Sequence, residues 1–334
     1  MRVLLTAPLI RSGVFTHVCD LAHYLFRLDV EPYLAIVNRG KDSEFFSNQL
    51  IGCPYDFLRT TEELIVLAEK RQVSRIHAHS PLTLNASLEA AKRLSIPLII
   101  TLHGLIDWAA HFPDALTYAA HIIATGPETA RSAGPAFQKK ITTIYNGINL
   151  ERFHPARCNS SDTGPLRVLY YGRTKGSDAQ GLIALDKAIG LMRKQGSNVD
   201  ARMVGRAAGV FAGNFHQYGW LDDPLPVLQW SEVVFGRGRS LREAMACGNV
   251  GFLLGEGYGG LLALERMRYY MPSLSCTLKL GANVADAETI AGDLIRLAKD
   301  RRLLQSLKKE AYNIAVECFD AYKMAKETVN VYRK

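Results

Sequence analysis

Short runs of consecutive apolar residues alternate with longer stretches in which apolar positions recur every three or four residues. RVLLTAP, PYLAIVN, PLIITLHG and HIIATGP are runs of the first kind, and SRIHAHS ends another. A continuous apolar run suits a strand buried on both faces, because successive side chains point to opposite sides of a sheet. THVCDLAHYLFRL, TEELIVLAEKRQ and NASLEAAKRL carry the helical period instead. Strand and helix in turn predict βαβ units on a mostly parallel sheet, joined by right-handed crossovers.

The alternation stops at HPARCNSSDTGP, residues 154–165, a polar stretch with glycine and two prolines that reads as a linker. It restarts with LRVLYYG, LIALDKAIGLMRK, VDARMVG, SEVVFG, LREAMACG and VGFLLG. Two α/β halves follow: an N-terminal Rossmann-like domain over 1–157 and a C-terminal one over 165–315. The tail from Ala287 is helical in period and is expected to break into several helices. Its last part, 316–334, is expected to pack back on the first domain.

Composition narrows the class. The 334 residues are 48% hydrophobic, enough for two ordinary cores and unlike a disordered chain. No apolar stretch approaches the roughly 20 residues that span a bilayer. The opening MRVLLTAPLI is cut off by Arg11 and shows no small-residue cleavage pattern, so it reads as a first strand rather than a leader. The cysteines, Cys19, Cys53, Cys158, Cys247, Cys276 and Cys318, show neither metal-ligand spacing nor a dense disulfide framework. Reduced thiols and a cytoplasmic protein are the expectation. The net charge of +8 keeps nucleic acid, anionic membranes and anionic small molecules in view. Yet the cations are interspersed with acids, and no finger, P-loop or RNA-binding signature is present. Nucleic acid is therefore set aside as a partner. Peripheral contact with an inner membrane face stays open, although no amphipathic insertion helix stands out. The sequence leaves the oligomeric state open.

Parallel sheets bind ligands beyond the carboxyl ends of their strands. In the first half those ends carry Gly13, His17, His79, Ser80, His103 and Gly104. In the second half they carry Gly172, Arg173, Lys175, Gly205, Arg206, Gly238, Arg239, Ser240 and Glu243. Imidazoles and small residues on one side, and cations, glycines and a carboxylate on the other, suit a cleft with an acceptor on one wall and an anionic donor on the other.

YYGRTKGSD, 170–178, places Arg173 and Lys175 between glycines at a strand end. Arginine forks onto phosphate oxygens, lysine acts as a mobile point charge, and glycine lets backbone approach. The competing reading is a basic surface turn. In FGRGRSLREAMACG, 235–248, a glycine-rich turn feeds a short helix expected to begin near Ser240, whose first N–H groups, with Arg239 and Leu241 alongside, make an anion site. Ser240 and Glu243 also fit a capping box, so Glu243 has two open roles: helix cap, or acceptor of two ribose hydroxyls.

Gly13 and Val14, before the first helix, bring further backbone N–H groups toward a diphosphate. His23 reads as structural or exposed. His77 and His79 lie on one side of an extended strand. No Asp or Cys at ligand spacing completes a zinc site around them, so no metal is expected. His103 ends an apolar strand, where it can hydrogen-bond a sugar hydroxyl, carry a proton, or serve as a satisfied core-edge residue. Asp107 follows as a loose candidate to orient it.

Together these motifs resemble the retaining, nucleotide-sugar-dependent glycosyltransferases of the GT-B fold, in particular the large group with sucrose and phosphatidylinositol-mannoside transferases. The resemblance runs in order along nearly the whole chain: APLIRSGVFTHVCDLAHYL, RIHAHSP, ITLHG, IYNGINLERFHP, LYYGRTKGSD, ARMVG, YGWLDDP and REAMACGNV. It implies two Rossmann-like domains facing across a cleft. By the same likeness His103 contacts the transferred sugar, and Arg173 and Lys175, with Gly172 and Gly205, hold the donor diphosphate. Glu243 takes the ribose hydroxyls, and Gly219 and Trp220 border the base. Asn146 closes a turn near the hinge. The donor is a UDP- or GDP-sugar, with no tightly bound cofactor, and the acceptor is a hydroxyl on a glycan, lipid or small molecule.

Two departures stand out. The family places a first glutamate ahead of the second with seven residues between, and here that position is Phe235. Arg237 and Arg239 bring positive charge instead. Arg173 and Lys175 are separated by a single residue, which makes the phosphate loop compact. A nucleotide-sugar epimerase, a phosphorylase or an inactive nucleotide-sugar-binding relative are the alternatives.

Overall fold

The computed structural model describes residues 1–10, 12–37, 52–156, 164–174, 176–207, 209–263, 274 and 282–334. The chain divides into two compact units, Met1–Asn149 with Asp320–Lys334, and Leu150–Phe319.

In the first unit, β1 (Arg2–Pro8), β2 (Glu31–Val37), β3 (Tyr55–Leu58), β4 (Arg75–Ala78), β5 (Leu98–Leu102), β6 (His121–Ala124) and β7 (Ile141–Thr143) form one sheet, in the order β3-β2-β1-β4-β5-β6-β7. Every pairing is parallel. The continuous apolar runs act as their pattern predicts. Val3 and Leu5 enter a core with Phe15, Val18 and Leu21 of the first helix, Gly13–Phe26. Leu4 enters the core on the opposite face, with Leu64 of the helix Thr61–Lys70 and Leu84 of the helix Pro81–Leu94. Burying each large apolar side chain contributes about 1.5–3 kcal/mol.

The helical tail breaks into Ala287–Lys299, Arg301–Cys318 and Ala321–Tyr332. An aspartate starts each helix: Asp286 accepts from Thr289 N (2.8 Å), Asp300 from Leu303 N (2.9 Å) and Asp320 from Tyr322 N (2.8 Å). The last helix packs on the first unit through Met324, Ala325, Val329 and Tyr332. Gly147 explains the Asn-Gly pair in the sequence. Ala321 N donates to Ile148 O (3.1 Å), and a Cβ on Gly147 would lie 2.3 Å from Ala321 Cα. Only a residue without a side chain admits that crossing.

Packing moves the domain limits relative to the polar break in the sequence. The first unit ends at Asn149 rather than 157, and its returning segment starts at Asp320 rather than 316. Residues 150–156 are tied to the second unit: Arg152 pairs with Asp223 (3.2 Å), and Gln229 Nε2 donates to His154 O (3.0 Å). Residues 157–163 of the expected linker lie outside the described residues.

The second unit carries β8 (Leu166–Tyr171), β9 (Val199–Val204), β10 (His216–Gln217), β11 (Val233–Gly236), β12 (Val250–Leu254), β13 (Gly257–Leu261) and β14 (Asn283–Val284), in the order β10-β9-β8-β11-β12-β13-β14. Pairing is parallel from β10 through β12. It turns antiparallel at β13 and β14, which extends the sheet beyond the βαβ pattern of the sequence. The core joins Val168 and Tyr170 to Leu182, Leu185 and Ile189 of the helix Ala179–Lys194, and to Ile290 and Leu294 of the tail. No helix among the described residues is long and apolar enough to cross a membrane. Among the described residues Cys19, Cys53, Cys247 and Cys318 form no disulfide with one another, and Cys158 and Cys276 lie outside the described residues.

Candidate functional site

Each unit gathers its sequence-selected polar residues at the carboxyl ends of its strands. In the first unit, β1, β4 and β5 are neighbours. His17 sits on the helix that follows β1, and His79 and His103 directly follow β4 and β5. The His17 and His103 rings are 4.6 Å apart between centroids, and His17 and His79 are 5.4 Å apart. His79 Nδ1 lies 3.4 Å from His103 Nε2. One ring nitrogen from each of the three histidines falls within 4.8 Å of the others. The expectation of no metal rested on spacing along the chain, which is blind to this grouping from three separate strand ends.

His77 lies behind them, its ring 4.0 Å from that of His79. It shares hydrogen bonds with the Tyr332 hydroxyl through Nδ1 (2.6 Å) and with the Thr101 hydroxyl through Nε2 (2.7 Å). Burial, helped by the nearby His103, pushes His77 down to about 3. Burial also pushes His103 down to about 3, and His79 well below the ordinary imidazole range with help from the other three rings. All three are therefore neutral at pH 7. His77 and His79 are fully buried and His103 is half-buried, so His103 is the ring of the three that solvent reaches.

The loop after His103 is anchored by Trp108, whose indole Nε1 donates to Gly104 O (2.9 Å). Asp107 does not orient His103. It caps the helix Trp108–His111, accepting from Ala110 N (3.0 Å). Ser80 likewise caps its own helix, accepting from Leu82 N (3.2 Å). Gly13, exposed, and Val14, half-buried, form the first turn of the helix capped by Ser12. His23 is exposed on that helix, as the sequence suggests.

In the second unit, three glycines meet where β8 and β9 end. Gly172 N donates to Val204 O (3.0 Å), and Gly205 N donates to Gly219 O. Gly205 has φ +119°, and a Cβ there would lie 1.8 Å from Gly172 O. The glycines thus permit a backbone-to-backbone contact that no other residue allows. Arg173 is exposed beside this contact and makes no ion pair among the described residues. Thr174 continues the pairing, its N donating to Arg206 O (2.9 Å). Lys175 lies outside the described residues. Trp220, next to Gly219, is 38% exposed.

The helix after β11 begins at Gly238, with Arg237 as its extended N-cap and no side-chain cap bond. Ser240 is therefore inside the first turn, and the capping-box reading of Ser240 and Glu243 does not hold. Glu243 accepts from Arg239 Nε through Oε1 (2.7 Å) and from the Tyr171 hydroxyl through Oε2 (2.8 Å). Glu243 is buried, and burial followed by the Glu243 charge holds the Tyr171 phenol far above its ordinary range. Leu241 is fully buried and its Cδ1 lies against Gly251, so its side chain belongs to the core. Phe235, at the position of the family's first glutamate, is a buried β11 residue stacked on Phe252 (5.0 Å between centroids). A core strand excludes an unpaired carboxylate there.

Sequence reasoning missed Tyr171 as the partner of Glu243. The signal was an aromatic with a polar tip at a strand end. It also collected His17, His79 and His103 as strand-end residues without the strand order that joins them.

The sequence profile of Glycosyltransferase Family 4 matches residues 11–152, less than half of the chain. No curated protein sequence matches significantly. Solved structures match along the whole length. The Anabaena Alr3699/HepE structure in complex with UDP and glucose has TM-score 0.75 and 15% identity over 100% of both chains. A Rickettsia africae glycosyltransferase has TM-score 0.75 and 15% identity over 99% of this chain and 97% of that one. A Neisseria meningitidis UDP-GlcNAc 2-epimerase bound to UDP-GlcNAc has TM-score 0.61 and 13% identity over 98% and 99%. At such identities the likeness establishes the fold, the GT-B architecture of two Rossmann-like units. It does not single out the sucrose and phosphatidylinositol-mannoside group.

Proposed function

We propose that this protein is a glycosyltransferase that takes a sugar from a uridine diphosphate donor and passes it to an acceptor hydroxyl. The observation that carries the reading is the arrangement at the ends of β8, β9 and β11. Bare glycine backbone, an exposed arginine and a helix start without a side-chain cap stand near a buried, hydrogen-bonded carboxylate. Backbone N–H groups and Arg173 suit a diphosphate, and Lys175 joins them by its place in the sequence. Ribose hydroxyls would join Tyr171 and Arg239 as donors to Glu243. The match of residues 11–152 to a glycosyltransferase family supports transfer as the chemistry, and the UDP held by the Anabaena relative supports the base.

As the sugar–phosphate bond breaks, negative charge grows on the departing diphosphate, and fixed cations and dipoles stabilise it without reorganising. His103, neutral at pH 7, would contact the transferred sugar. Retention of anomeric configuration follows a front-face route, in which the leaving phosphate oxygen receives the acceptor's proton and no protein nucleophile is needed.

Calorimetric titration with UDP and GDP, then a mass-detected screen of donors against a mixed acceptor pool, tests the reading. Glu243→Ala should weaken UDP binding about ten- to a hundredfold, the range of a hydrogen bond to a charged group, and should weaken 2′-deoxy-UDP less. Absence of nucleotide binding in the wild type would overturn the proposal. The second reading is an epimerase, which the fold shared with the Neisseria enzyme favours. Conversion of donor alone to an isomer of unchanged mass would select it.

A further inference from the structure

The histidine group in the first unit has features that the nucleotide reading does not use. His79 is fully buried, and its Nε2 has no hydrogen-bond partner among the described residues. Its Nδ1 has only the 3.4 Å approach to His103 Nε2. That is long for a hydrogen bond, whose N···O or N···N separation centres near 2.9–3.0 Å. Buried polar atoms rarely go unsatisfied, and a buried ring with one nitrogen unpartnered and the other this loosely held calls for an explanation.

We propose that His17, His79 and His103 form a three-nitrogen site for a divalent transition-metal ion of the zinc class, with a fourth position open to water or an alcohol hydroxyl. Zinc–nitrogen bonds of about 2.0–2.1 Å in a tetrahedron put ligand nitrogens about 3.3–3.4 Å apart. His79 Nδ1 and His103 Nε2 already have that separation, which makes Nδ1 the ligand atom of His79 and Nε2 its N–H end. The widest of the three separations is at most 4.8 Å. It closes to the tetrahedral edge by about 1.4 Å, within reach of ring rotation.

The surroundings fit a ligand set. Imidazole nitrogens suit a borderline metal and are poor ligands for magnesium or calcium, which prefer oxygen. The histidines come from the helix after β1 and from the segments that directly follow β4 and β5, three neighbouring strands of one sheet, so the fold sets their spacing. His77 is held on both nitrogens by Tyr332 and Thr101 and packs on the His79 ring, as an outer-shell support does. His103, half-buried, supplies the route for entry. Three histidines with an open fourth position is a known zinc arrangement in enzymes. The inference uses the first unit alone and is read by metal binding, so it stands or falls apart from the nucleotide reading.

The test titrates the full chain with Zn²⁺ against a chromophoric chelator, and with Co²⁺ as a spectroscopic substitute. One Zn²⁺ per chain is expected, with the strong visible absorption of four-coordinate Co²⁺. His79→Asn and His103→Asn should each weaken Zn²⁺ by more than about a hundredfold, beyond outer-shell effects. His23→Asn, on the exposed face of the first helix, should leave binding unchanged. Substoichiometric Zn²⁺, weak octahedral-type Co²⁺ absorption, or unchanged binding in a folded His103→Asn variant would overturn the proposal. The cobalt spectrum needs no variant, so a misfolded His79→Asn does not shelter the claim.

Discussion

Gly205→Ala probes the backbone contact on which the proposed phosphate loop rests. Two costs combine there. The native φ of +119° is one that a side chain rarely adopts, at about 1–2 kcal/mol. The new Cβ would overlap Gly172 O at 1.8 Å, so the two loops must part by more than 1 Å, about the distance to the tightest contacts real Cβ atoms make. Overpacking of this kind costs about 1–3 kcal/mol, and the strained Gly172 N to Val204 O bond about 0.5–1.5 kcal/mol more. These terms are not independent, and about 3 kcal/mol is a fair sum. In a unit of this size that lowers the unfolding temperature by about 6–12 °C. Parting the loops also displaces Arg173, so UDP affinity should fall with stability. Calorimetric unfolding, hydrogen exchange over 166–174 and 199–207, and UDP titration read the three effects. Gly209→Ala is the control. Its φ is +75° but nothing lies within 4 Å of its Cβ, so it carries the conformational cost alone. Equal losses in the two variants would refute the overlap argument.

Three further outcomes are expected. Gly147→Ala should drive the helix Ala321–Tyr332 off its seat, because its Cβ meets Ala321 backbone; faster amide exchange confined to that helix checks it, and native exchange rules it out. Tyr171→Phe should weaken UDP binding less than Glu243→Ala, since it removes one donor but keeps the carboxylate and Arg239; an equal or larger loss contradicts the assigned roles. Burial, then the charge of Glu243, pushes the Cys247 thiol up to about 12. Its reactive thiolate thus becomes the majority form only above that pH, and iodoacetamide at pH 8 should modify half-buried Cys19 well before Cys247. Equal rates in the folded protein, followed by mass spectrometry, would contradict the shift.

The sequence alone determined the elements, the two α/β halves and the broken helical tail. Hydrophobic period is a local signal, and it reports which faces of each segment avoid water. RVLLTAP became a strand buried on both faces, and the tail broke at aspartates that cap the next helix. The strand-end residues were also legible one by one, His103, Arg173 and Glu243 among them. Tertiary structure decided what they meet. The order β1-β4-β5 brings His17, His79 and His103 together. The register of β8 beside β11 gives Glu243 a phenol from 72 residues away. A helix that starts at Gly238 rather than Ser240 turns Glu243 from a cap into an ion-pair partner. The antiparallel edge and the crossing at Gly147 likewise depend on contacts between distant segments. Periodicity records burial along one element, whereas partner and approach distance arise only when separate elements pack.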